Sequence, residues 1–93
     1  MAISGNQLRA ARALAGAGQR MLAEKSGVSV NTIRNMEARG EERVRARLET
    51  MDRLRDALLD LGVEFIGEDD GRAGVRLLKP STELLRRRGS ENR

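Results

Sequence analysis

From residue 4 to residue 61, apolar residues recur every three or four positions, and the pattern is broken at glycines. Leu8, Ala11, Leu14 and Ala15 form a one-sided stripe at helical spacing, with Ser4 placed to cap the helix that carries them. The run "AGAG" at 15–18 ends this pattern, because two glycines within three residues disfavour helix continuation. A short second helix is predicted from about Gln19 to Ser26, stopping at Gly27. Ser29 caps a third through roughly Ala38, with Gly40 as its stop signal. Between Glu41 and Leu61 there is neither glycine nor proline, and Val44, Leu48, Met51, Leu54, Leu58 and Leu61 keep helical spacing. That stretch reads as one long amphipathic helix, or as a short and a long helix joined near Ala46. The period changes at Gly62. "VEFI" and "VRLL" flank the turn-rich "GEDDGRAG", predicting a β-hairpin. After Pro80 the sequence "STELLRRRGSENR" reads as a basic, mobile tail.

The predicted architecture is therefore mainly α, with four to five helices over 1–61, a hairpin over 62–79 and a tail over 80–93. Ninety-three residues suffice for one small domain. No apolar run approaches the roughly 20 residues that span a bilayer. The start "MAISGNQLRA" lacks the basic flank and apolar stretch of a secretory signal. Cysteine is absent, which is compatible with a reducing compartment, and a cytoplasmic location is the expectation.

Composition then removes function classes. Histidine, tryptophan and tyrosine are absent and Phe65 is the only aromatic residue, so stacking platforms for single-stranded nucleic acid are excluded. With no histidine or cysteine, two lysines and no motif-borne carboxylate pair, nothing supports an enzyme. Asp69 and Asp70 lie in a glycine-rich turn without the remaining ligands of a calcium loop, so they read as a hairpin tip and no metal or cofactor is expected. No small-molecule pocket is suggested.

Charge adds a direction. Residues 1–47 carry nine basic and four acidic groups, residues 48–71 two basic and eight acidic, and residues 72–93 seven basic and two acidic. The first part has the footprint of a polyanion binder and the middle does not. On charge alone, a merely solvated arginine-rich face explains the pattern equally well.

The stretch "QRMLAEKSGVSVNTIRNMEARG" at 19–40 resolves that tie. Two helices that cross steeply through a short turn need a small residue at the crossing, here Ala23 beside Leu22. They need a turn residue tolerant of positive φ, here Gly27. They also need apolar residues returned by the second helix, here Ile33 and Met36, with Val28 over the corner. Such a pair leaves the outer face of its second helix free for a major groove. These five positions, Leu22, Ala23, Gly27, Ile33 and Met36, fall where the phage repressor and Cro-like helix-turn-helix family of bacterial DNA-binding regulators places its structural residues. The chain resembles that family over about residues 4–61. Gln19 matches the glutamine that opens the family's second helix. Arg12 and Glu37 match residues that join the first helix to the end of the recognition helix in a buried salt bridge. The long helix followed by "GVEFI" and a second strand also looks like small family members with an appended hairpin. Gly18 departs from the usual serine or threonine cap, so the second helix should start less firmly. Met21 departs too, placing an apolar group where the family has a polar one.

The resemblance implies a sequence-specific double-stranded DNA-binding regulator of transcription, with residues 29–38 as recognition helix; whether it represses or activates stays open. Val30 turns outward and can pack on a thymine methyl, although a lone exposed valine is ordinary. Asn31, Arg34 and Asn35 share a face suited to adenine and guanine edges, and a solvated surface is the bland alternative. Gln19 lies where helix-terminal amides favour a phosphate, and Thr32 can add a hydroxyl contact. Arg43, Arg45 and Arg47 can clamp phosphates, but a helix would not place all three on one face. Arg86, Arg87 and Arg88 fit a phosphate grip and a solvated tail equally. Homodimerisation through the hairpin is expected, since one small module covers little DNA. A different class, an antitoxin-like or protein-interaction module whose helical domain serves assembly with a partner protein, is the runner-up.

Overall fold

The structure is a computed structural model that describes residues 3–67 and 72–78. Ser4 starts it with a reciprocal cap: its hydroxyl accepts from the Gln7 backbone amide, and the Gln7 side-chain carbonyl accepts from the Ser4 amide, both at 3.0 Å. Helix α1 follows over Gly5–Ala15, and α2 spans Gln19–Ser26. Gly18 gives α2 no side-chain cap, as its lack of a hydroxyl requires. Gly27 ends α2 at φ 76°, a backbone region in which glycine meets no Cβ clash. Ser29 then caps α3, Val30–Glu37, through its hydroxyl and the Thr32 amide at 3.1 Å.

Residues 41–47 correct the sequence reading. They form neither part of a long helix nor a short helix of their own; the next helix, α4, starts only at Leu48 and runs to Asp60. The intervening stretch is drawn out beside the N-terminal segment. Val44 donates its amide to the Ile3 carbonyl at 2.8 Å, Gly5 donates to Glu42, and Ser4 and Arg43 form an antiparallel bridge. Two glutamates and three arginines around a lone Val44 give this stretch no apolar stripe to hold a helix against the core. Pairing with a distant strand partner outweighs its local propensity. Leu48, read as part of the apolar stripe, is 70% exposed, and Leu14 is also on the surface.

Past α4, Gly62 leads into β1 (Val63–Ile66), which pairs antiparallel with β2 (Gly74–Leu77), Val63 opposite Leu77 and Phe65 opposite Val75. The hairpin lies on the helices instead of standing free. Val63 is buried, and Phe65, Val75 and Leu77 pack on the core. The Gln7 amide nitrogen donates to the carbonyls of Ile66 and Gly74 at 3.3 and 3.2 Å, tying α1 to both strands. The core itself joins Ile3, Leu8, Leu22, Ile33, Leu54, Leu58 and Val63, so every element except β2 contributes a fully buried side chain. The fold is thus four helices and a small two-stranded antiparallel hairpin. No described helix is long and apolar enough to cross a membrane. The hairpin tip at 68–71, with Asp69 and Asp70, and everything from Lys79 on, with Pro80 and Arg86–Arg88, lie outside the described residues.

Candidate nucleic-acid interface

The turn between α2 and α3 is short because each residue in it has one task. Gly27 reverses the chain, the buried Ser26 hydroxyl accepts from the Val28 amide at 3.2 Å, and Val28 is buried over the corner. Ser29 then opens α3. Half-buried Ala23 packs on the core beside fully buried Leu22. From α3, Ile33, Met36 and Glu37 point inward and are buried. The remaining face is therefore left to solvent, and it carries Asn31, Arg34 and Asn35, all exposed. Val30 and Thr32 are half-buried at its rim. The Thr32 hydroxyl is engaged by Ser29 at 2.9 Å.

What holds α3 at this angle is an ion pair at its C-terminal end. The Arg12 guanidinium donates twice to the Glu37 carboxylate, at 2.5 and 2.8 Å, and a third time to the Ala17 carbonyl at 3.1 Å. The Glu37 side chain is 3% exposed and that of Arg12 17%. A two-pronged arginine–carboxylate pair of this kind fixes direction as well as distance. Arg9 adds charge at 3.7 Å. Burial by itself pushes the Glu37 carboxyl up, but the hydrogen bond and charge of Arg12, the Gln19 amide and the Arg9 charge together outweigh it. Glu37 is held below the ordinary carboxylate value. The hydrogen bond to Glu37 likewise raises Arg12, against the lowering effect of its burial.

Gln19 opens α2, and its side chain lies between Glu37 and Arg34. Its side-chain amide is engaged at both ends, the nitrogen donating to Glu37 at 3.2 Å and the carbonyl accepting from Arg34 Nε at 3.2 Å. A phosphate at the start of α2 is left with backbone amides.

Arg43, Arg45 and Arg47 are all exposed, and the objection that a helix would scatter them does not apply, because the segment is not helical. Arg43 lines a depression between α1 and the hairpin, and Arg45 lines a different one. Arg45 joins Thr32, Asn35, Met36 and Arg39 around one surface depression, bringing the arginine segment up to the outer face of α3. Arg39, which the sequence reading passed over, connects the two: its Nε donates to the Arg43 carbonyl at 3.3 Å, and it pairs with Glu42 at 3.4 Å. A basic residue between the end of a helix and its glycine stop is the signal that marks it. Met21 is 45% exposed on α2.

Gly5 was also missed. A Cβ there would lie 2.5 Å from the Met36 carbonyl oxygen and 2.7 Å from that of Glu37. The start of α1 thus touches the backbone at the end of α3. Gly5 directly follows the Ser4 cap, where a glycine is ordinary, so the sequence carries no signal of this approach.

A second depression, about 460 Å3, lies between α1, residues 41–43 and the hairpin, with Asn6, Gln7, Glu41, Arg43 and Val75 in its lining. Gln7 is already bonded to the hairpin, and no cluster of acids or nucleophiles converges there. Among the described residues no group of three or more potential ligands could hold a metal ion. Compared with models of known protein families and with curated proteins, the chain matches none.

Proposed function

We propose that the α2–Gly27–α3 unit is a helix-turn-helix of the repressor and Cro-like kind, and that the chain is a sequence-specific double-stranded DNA-binding regulator of transcription. The observation that carries this reading is the two-sidedness of α3. Its inner face is locked by Ile33, Met36 and the Arg12–Glu37 pair, while its outer face presents Asn31, Arg34 and Asn35 with Arg39 and Arg45 beside them. Asparagine and arginine are the side chains that read adenine and guanine edges through paired hydrogen bonds. Arginines on the adjoining segment suit phosphates, which give attraction and register without sequence information. In this reading Val30 meets a thymine methyl, and Thr32, Arg43, Arg45 and Arg47 meet the backbone. The acidic exposed residues of α4, Glu49, Asp52, Asp56 and Asp60, face away from the DNA.

A single α3 covers too few base pairs for high specificity. The functional unit is therefore a homodimer that spans two half-sites about 34 Å apart, joined through the open edges of the hairpin. Gel-shift titration on random duplex across a salt series tests the electrostatic part. The expected result is retardation that weakens linearly in log salt, with the slope lowered by about one unit in Arg45→Ala. A chain serving only protein assembly retards no duplex even at low salt, and that result overturns the proposal.

A further inference from the structure

We infer that Gln19 is a positioning residue for Arg34, holding its guanidinium so that the two terminal nitrogens are free for a guanine edge; this rests on the DNA-binding reading above. Glu37 is nearly inaccessible, and its carboxylate is fixed by two hydrogen bonds from Arg12. An ionised carboxylate only accepts hydrogen bonds, so the Gln19 amide must turn its NH2 group toward it, as the 3.2 Å contact has it. That choice decides the other end. The Gln19 carbonyl is directed toward α3, where Arg34 Nε donates to it at 3.2 Å. A chain of hydrogen bonds therefore runs from Arg12 on α1 through Glu37 and Gln19 to the surface of α3.

The geometry also says which atoms of Arg34 remain. Among the described residues nothing else bonds its guanidinium, so both Nη groups keep their donors. Bidentate contact with guanine O6 and N7 needs two donors in one plane. A guanidinium already held at Nε loses less freedom when that contact forms. Gln19 in this role acts on the choice of base, whereas a phosphate contact acts on every sequence alike.

The test compares wild type with Gln19→Met, which keeps the length of the side chain and removes both hydrogen bonds. In the free full-length protein, the Arg34 Nε–H resonance should be resolved and slow to exchange in wild type, and should fall into the fast-exchanging arginine envelope in the variant. In site selection, the preference for guanine at the position lost in Arg34→Ala should drop about tenfold in Gln19→Met, with affinity for random duplex and its salt slope unchanged. A uniform loss on all sequences with a slope lower by about one unit makes Gln19 a phosphate contact and overturns the inference. An unchanged guanine preference does the same. Should Gln19→Met fail to fold, a fast-exchanging Arg34 Nε–H in wild type overturns the inference, and a slow one in a Gln19→Ala chain does so as well. If wild type selects no sequence at all, the DNA-binding reading fails and the positioning role falls with it, even where the Nε–H signal stands.

Discussion

Removing the Glu37 carboxylate leaves the Arg12 guanidinium enclosed beside Ala17 with no counter-charge. Breaking a buried pair from one side costs on the order of 3–5 kcal/mol, against about 0–1 kcal/mol for an exposed one. Glu37→Ala is expected to fall in the first range by chemical denaturation, and a loss under about 1 kcal/mol contradicts the burial described. The pair also makes stability depend on pH. Because Glu37 is held below the ordinary carboxylate value, its contribution is complete above the unfolded-state value and fades as pH falls through the folded one. The stability gap between wild type and Glu37→Gln should therefore narrow on acidification, and a gap that widens reverses the sign. Gly5 supplies a prediction of another kind. An alanine methyl there collides with two carbonyl oxygens and the Gly40 amide nitrogen, all backbone atoms that yield only if α3 moves. Gly5→Ala is expected to destabilise by about 1–3 kcal/mol, the range of overpacked sites, although alanine is the better helix former. Equal or greater stability argues against the close approach. The pairing of Arg12 with Glu37 is legible in the sequence through the family resemblance that implies it. Gly5 is not, because its constraint comes from the end of α3, more than thirty positions along the chain.

Among the elements, legibility follows how local the deciding forces are. Ser4, Gly27 and Ser29 mark helix ends through hydrogen bonds and dihedral angles within a few residues, so α1, α2 and α3 have the bounds their caps announce. The segment 41–47 defeats the same method. It contains no helix breaker, and what draws it out is the carbonyl of Ile3 and the edge of residues 4–5. Leu48 completes a periodic stripe on paper and yet is mostly exposed, because the helix it begins packs through Met51, Leu54, Ala57 and Leu58. The correction changes the candidate site, since an extended segment brings Arg45 beside Thr32, Asn35 and Arg39. At this scale the two classes of arginine are expected to separate. Arg34→Ala should relax the sequence preference at one position of the bound site, at a cost of about 1–3 kcal/mol. Arg45→Ala should weaken binding to all sequences alike. Binding isotherms on matched and single-mismatch duplexes distinguish them, and an Arg34→Ala protein with unaltered mismatch penalties contradicts the assigned outer face of α3.

For the whole molecule, the hairpin has two relations to explain. It is part of the fold, because Val63 is buried and Gln7 bonds both strands, so a chain cut after Gly62 loses core as well as edge. It still has open edges, for two strands alone leave half their backbone groups unpaired, and Leu78, the residue just past β2, is 44% exposed. Charge on an exposed strand edge opposes pairing with another chain. Leu78→Lys is therefore expected to lower the dimer fraction in sedimentation without altering the thermal melt, and an undiminished dimer removes the hairpin from the interface. The segregated charge belongs to the same scale: the first half is basic and α4 acidic, and under the proposed function the basic part is the side turned to the polyanion. Under the proposed function, this side reads sequence in duplex DNA. Selection of bound sites from a random duplex library by the full-length protein tests it most directly. The expected result is enrichment of a two-fold symmetric motif whose half-sites lie about one helical turn apart. Bound DNA that remains as random as the input contradicts it.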